Sequence, residues 1–152
     1  MMPVQAQTRQ ATADRVYLAV NRAVFQSIPD MARTVLDVGC GGAVFGAAIK
    51  SARVCTVTGV TYSEAEAQLA RAHLDHVEVA DVNVIDPATL GRFDCIVCSH
   101  VLEHLTGPRR LLQALRDCLT PGGVLIVALP NVLHWKQRMQ FLRGDFAIPK
   151  AV

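Results

Sequence analysis

The feature that most constrains this chain is the regular alternation of short apolar runs with helix-patterned segments. Thr34–Val38, Val54–Val60, His76–Ala80, Phe93–Ser99 and Gly123–Leu129 read as strands. They read as continuous apolar runs rather than in/out alternations, the pattern of strands buried on both faces. Helical segments are expected over Val44–Ala52, from Ser63 to about His73, and over Pro108–Leu119. Ser63 and Glu66 have the spacing of a capping box, and Pro108 suits a first helical turn. Ahead of these, Ala11 to about Ser27 carries apolar residues every four positions at Val16, Val20, Val24 and Ile28. Behind them, Val132–Leu142 puts Val132, Trp135, Met139 and Leu142 on one helical face. Strands alternating with helices predict an α/β fold with a mainly parallel sheet covered on both faces. Ligands of such sheets bind outside the carboxyl ends of the strands, so the loops after the first four strands are the ones that matter.

Composition narrows the function classes. The 152 residues fit one domain; residues 1–10 read as a loose arm and 11–152 as a single domain. Lys plus Arg number 15 and Asp plus Glu 13, and a net +2 gives no reason to expect nucleic acid. Although 51% of the chain is hydrophobic, no run approaches the roughly 20 apolar residues of a spanning helix. The start, MMPVQAQTRQATADR, has no apolar signal core. Five cysteines at irregular spacing (Cys40, Cys55, Cys95, Cys98 and Cys118) fit reduced thiols in a cytoplasm. Cys95 and Cys98 are three apart in a strand and face opposite ways, so they form no redox or zinc pair. No metal site is expected.

The loop after the first strand reads Asp37-Val-Gly39-Cys-Gly41-Gly-Ala43. Its glycines permit a tight turn and close approach of a ligand to bare backbone. A dinucleotide site needs a third glycine at position 44, which is Val44, and this disfavours a nicotinamide oxidoreductase. Asp37 beside the turn repels phosphates and suits a cationic ligand. With this loop the chain resembles the class I S-adenosylmethionine-dependent methyltransferases, whose first motif is a strand followed by D-x-G-x-G-x-G. Asp37, Gly39 and Gly41 match, and Ala43 replaces the last glycine. Phe93-Asp-Cys-Ile-Val-Cys-Ser-His-Val-Leu-Glu-His-Leu105 is similar to the fourth-strand motif of the small-molecule group, and Leu119-Thr-Pro-Gly-Gly-Val-Leu-Ile-Val127 to the turn and strand after it. Pro130-Asn131, His134-Trp135 and Leu142-Arg-Gly-Asp-Phe146 resemble a bacterial subgroup tied to glycan or other secondary biosynthesis.

The resemblance implies a Rossmann-like α/β/α sandwich with strand order 3-2-1-4-5. It implies S-adenosylmethionine as cofactor and methyl transfer to the oxygen or nitrogen of a small-molecule or glycan-precursor acceptor. The turn through Gly39, Cys40 and Gly41 would pack on the methionine part, with Asp37 near its amino group. The family's ribose-binding acid at the end of strand two is absent; Thr61 stands there. Cyclopropane synthases often share this feature and use an acid five positions on, which matches Glu66; the competing role for Glu66 is the capping box. Asp81 and the Val82 N–H match the adenine contacts, and Ser99 faces the methyl group by topology. The cofactor carries the reactivity, so the protein aligns the partners. A general base helps a hydroxyl or amine acceptor, and the candidates are His100, Glu103, His104 and His134. Glu103 and His104 also serve to order their loop, and His134 to cap the last helix.

The family sheet continues with strands six and seven, which this chain is expected to lack. Strand five is then expected to be an apolar edge, paired in a homodimer or covered by the final segment. The short end and Thr61 together motivate an alternative: a non-catalytic cofactor-binding or interaction module.

Overall fold

The structure, a computed structural model, describes residues 21–130. It is a five-stranded, all-parallel sheet in the order β3-β2-β1-β4-β5. The strands are β1 (Thr34–Val38), β2 (Thr56–Thr61), β3 (His76–Val79), β4 (Phe93–Ser99) and β5 (Leu119–Ala128). The helices are α1 (Arg22–Ser27), α2 (Val44–Ala52), α3 (Glu64–Ala70) and α4 (Pro108–Asp117). Single 3₁₀ turns cover Pro87–Leu90 and Leu102–His104. The expected fold class and strand order hold. Among the described residues no helix is long and apolar enough to cross a membrane.

Side-chain alternation along the strands divides the core in two. Val35, Val57, Cys95 and Val97 face α1 and α2, where they meet Val24, Phe25, Ile28 and Ile49. Leu36, Val38, Val60, Ile96 and Cys98 face α4 and meet Leu111 and Leu115. Cys95 and Cys98 thus lie on opposite faces, as their spacing required. All five cysteines are free. Burial pushes the Cys95 thiol up to about 11 and those of Cys40 and Cys98 to about 12, so they stay protonated and unreactive.

At the amino ends of the strands, Asp94 is a clamp. Its Oδ2 accepts from the N–H groups of Arg33 (2.9 Å) and Thr34 (3.1 Å), and its Oδ1 from the Thr120 hydroxyl (2.8 Å). These bonds tie β1, β4 and the start of β5 together. They explain why β5 begins at Leu119 rather than Gly123: the pairing starts at Phe93↔Leu119, shifts register, and resumes at Cys95↔Val124. The Pro121-Gly122 signal marks this irregularity, with Gly122 at φ 80°, and does not mark the strand's start.

Candidate functional site

The order of the sheet reverses at β1, which lies between β2 and β4. The crevice outside the carboxyl ends of these strands is therefore the expected place for a ligand. A cavity of about 440 Å³ opens there, bounded by residues that follow β1, β2, β3 and β4. Gly39, Gly41, Thr61, Glu66, Asp81, Val82, His100 and His104 all line it.

The first wall is the glycine turn. The N–H groups of Gly39 and Cys40 both donate to Val60 O, at 2.8 and 2.9 Å, which pins the turn to β2. Gly39 has φ 78°, and a Cβ there would lie 2.5 Å from Val101 Cγ2, so both backbone and space demand glycine. Ala43, where the family motif has glycine, also adopts the left-handed region at φ 67° and is fully buried. Cys40 does not line the cavity with its side chain. Its thiol points into the core, where it leaves no room for a side chain at Gly59: a Cβ there would be 2.6 Å from Cys40 Sγ.

Asp37, at the end of β1 just before this turn, is only 4% exposed and, although expected at the ligand, is not among the residues that line the cavity. Its Oδ2 is buried without a hydrogen-bond partner among the described residues. Burial raises its carboxyl from 3.8 to about 7. An unpaired buried oxygen of this kind is rare in native interiors and carries a desolvation cost that a nearby donor or cation relieves.

The second wall comes from β2 and α3. Ser63 caps α3, its Oγ accepting from Glu66 N at 3.4 Å, but Glu66 does not complete the capping box. Its carboxylate instead accepts from the Thr61 hydroxyl at 2.7 Å. Its Oε1 lies 4.0 Å from where a Cβ on Gly41 would stand, across the mouth of the turn. The helix ends at Ala70, short of His73, and closes through N–H bonds from His73 and Leu74 to Ala70 O.

The third wall follows β3. Asp81 Oδ1 accepts from the Asn83 N–H (2.8 Å) and Asn83 Nδ2 (2.9 Å). Asn83 Oδ1 in turn accepts from Thr106 N and Thr106 Oγ1, and Arg110 donates to Asn83 O at 2.5 Å. Arg110 therefore braces this loop. Asp81 Oδ2 makes no hydrogen bond among the described residues.

The fourth wall is the segment after β4. His100 has φ 56°, a strained value for a non-glycine residue. Its N–H donates to Ala128 O at 2.9 Å, and its Nδ1 stands 3.5 Å from Glu103 Oε1. Ser99, expected at the methyl group, pairs with Ala128 in the sheet and does not line the cavity. His134 and Asn131 lie outside the described residues. Six lining residues were not foreseen: the apolar Val60, Ala80, Val101 and Leu105, and the polar Asn83 and 79% exposed Tyr62. Asp-x-Asn is a known turn signal that could have revealed Asn83; nothing in the sequence singles out Tyr62.

The chemistry of this lining is one-sided. It offers carboxylates from Glu66 and Asp81 and no Lys or Arg. Such a set suits a ligand rich in hydrogen-bond donors and positive charge, and it lacks the cations that dinucleotide phosphates attract. Among the described residues, no cluster of His, Cys, Asp and Glu could hold a metal ion.

Comparison with known proteins agrees with this geometry. A methyltransferase-domain family profile matches residues 6–149. The chain belongs to this family. It is similar to the ubiquinone biosynthesis O-methyltransferase of Pseudomonas paraeruginosa, 33% identical over 105 residues, covering 65% of this chain and 45% of that protein. Among solved structures it resembles the N-terminal domain of EvdMO1 with S-adenosylhomocysteine bound (26% identity, TM-score 0.58, 70% of this chain and 45% of that one). It also resembles coclaurine N-methyltransferase bound to N-methylheliamine and S-adenosylhomocysteine (25% identity, TM-score 0.60, 75% and 34%). The chain thus spans less than half the length of each of these three relatives.

Proposed function

We propose that this chain is the cofactor-binding domain of an S-adenosylmethionine-dependent methyltransferase that acts on a small-molecule hydroxyl or amine. The observation that carries the reading is the cavity lining: bare glycine backbone flanked by the carboxylates of Glu66 and Asp81, with no competing cation. The residues fit the cofactor's own chemistry. Its ribose offers two hydroxyl donors, its adenine an amino donor, and its methionine part an ammonium and a sulfonium. Glu66 would accept from the ribose, and the free Oδ2 of Asp81, held in place by Asn83, would accept from the adenine amino group. The N–H of Val82 would serve a ring nitrogen, and the glycine turn the methionine part. The cofactor's cationic amino group would relieve the unpaired oxygen of Asp37, directly or through a water.

When bound, the cofactor supplies an activated methyl group open to direct displacement. The protein's work is to hold the acceptor in line and exclude water. His100, after β4 with Glu103 beside it, would take a proton from the acceptor, and His104 is the second candidate; both line the cavity.

We further infer a domain over residues 11–152, a cytoplasmic protein with reduced thiols, and a homodimer through the β5 edge. Among the described residues β5 pairs with β4 alone, and Val127 and Leu129 are exposed.

The test is calorimetric titration with S-adenosylmethionine, S-adenosylhomocysteine and a nicotinamide dinucleotide, followed by labelled methyl transfer onto a panel of hydroxyl and amine acceptors. Micromolar binding of the first two, with transfer, supports the reading. Binding without transfer favours the non-catalytic module. A folded sample that binds neither overturns both.

A further inference from the structure

Thr61 stands where methyltransferases of this fold were expected to carry a ribose-binding acid, and the structure gives its hydroxyl a different task. The Ser63 N–H donates to Thr61 Oγ1 at 3.4 Å. Thr61 Oγ1 then donates its single proton to Glu66 Oε2 at 2.7 Å. In a complete capping box, the N3 carboxylate would reach back to the N-cap N–H. Here Thr61 takes over that N–H and releases the Glu66 side chain from the box. The released carboxylate is held by Thr61 at one oxygen, and the other faces the glycine turn. Thr61 is 3% exposed, and its hydroxyl has both its proton and a lone pair engaged, so it has little left for a ligand.

We propose that Thr61 is a positioning residue rather than a ligand: it holds the Glu66 carboxylate in the cavity, so that a helix supplies the diol acceptor absent from the strand end. The inference rests on reading the cavity as an S-adenosylmethionine site. It makes affinity depend on a coupled pair. Without the hydroxyl, Ser63 N–H regains a need for an acceptor, and the Glu66 carboxylate swings back to complete the box. Binding falls while the fold is preserved, because the box replaces the lost bond.

The experiment is a double-mutant cycle read by calorimetric titration with S-adenosylhomocysteine. Thr61→Val keeps the β-branched shape that β2 requires and should weaken binding about five- to tenfold, less than the loss of a whole hydrogen bond to a charged group because the carboxylate is displaced rather than removed. Thr61→Ser should restore binding to within about twofold, since the hydroxyl is what matters. Glu66→Ala should weaken binding about tenfold or more, and the double variant should bind no worse than Glu66→Ala alone. The Thr61→Val loss should vanish for an analogue lacking both ribose hydroxyls, a pattern that general loosening of the site would not produce. Multiplying losses in the double variant, or an equal loss with the dideoxy analogue, would overturn the assignment of Thr61 while leaving the cofactor site standing. A wild-type protein that does not bind S-adenosylhomocysteine would overturn the cofactor reading and this inference with it.

Discussion

Burying the Asp37 carboxyl without a partner for its Oδ2 costs the ligand-free domain stability, and Asp37→Asn exposes that cost. Burial lifts the carboxyl from 3.8 to about 7. A group whose folded pKa is raised gives its full contribution below the unfolded value and loses it as pH rises through the folded one. Below pH 3.8 Asp37 is protonated in both states and costs nothing. At pH 5 the unfolded chain is largely ionised and the folded one is not, a differential of about 1.5 kcal/mol. At pH 8 both are ionised, and the folded state bears the full cost of about 4 kcal/mol. Asparagine is neutral throughout. The stability of Asp37→Asn relative to wild type should therefore rise by about 2.5 kcal/mol between pH 5 and pH 8. Other titrating groups, such as Asp75 and Asp94, are present in both proteins and cancel in the difference. Urea melts of the ligand-free proteins at the two pH values measure it. Saturating S-adenosylhomocysteine should then stabilise wild type far more than the variant. A difference between the proteins that stays constant with pH would refute the argument, since it would mean that the buried carboxylate is already satisfied.

Other outcomes follow from the packing. Gly39→Ala meets both φ 78° and Val101 Cγ2 at 2.5 Å, so it should cost about 1–2 kcal/mol of stability from the left-handed backbone and lower S-adenosylhomocysteine affinity in titration. Gly59→Ala drives a methyl to within 2.6 Å of Cys40 Sγ and 2.5 Å of Leu74 Cδ1, and urea melts should show about 1–3 kcal/mol of overpacking loss. Asp94→Ala removes the clamp on β1 and β5 and should cost about 1.5–3 kcal/mol near neutral pH. The N–H groups of Arg33 and Thr34 and the Thr120 hydroxyl hold Asp94 below its usual 3.8, so its contribution is present above that value and fades as pH falls through the lowered one. Sedimentation velocity should detect a concentration-dependent dimer; a monodisperse monomer whose β5 amides exchange freely would remove the β5 interface from the account.

Much of the fold was legible because its signals are local. β1, α2 and β4 fall at the bounds read from the sequence, where glycine, proline and charged residues interrupt apolar runs. The start of β5 was not legible, because it depends on Asp94 reaching Thr120 across 26 positions in the chain. The site divides the same way. The glycine turn, Asp81 and His100 were readable from strand ends and motif order. Glu66 was not decidable, since a carboxylate at the third helical position has the same spacing whether it completes the cap or turns toward the cavity; the Thr61 hydroxyl, placed beside it by the end of β2, draws it to the cavity. Cys40 and Ser99 sit in the expected motifs, but the Cys40 thiol packs against Gly59, Ser99 pairs with Ala128 in the sheet, and neither lines the cavity.

The most direct measurement is amide chemical-shift mapping of the isotopically labelled protein during titration with S-adenosylhomocysteine. The account predicts changes concentrated after the four strand ends, over residues 39–42, 61–66, 80–83 and 100–105, with the Asp94 clamp at the opposite end unmoved. Saturable changes centred elsewhere on the domain, or none at millimolar ligand, would contradict it.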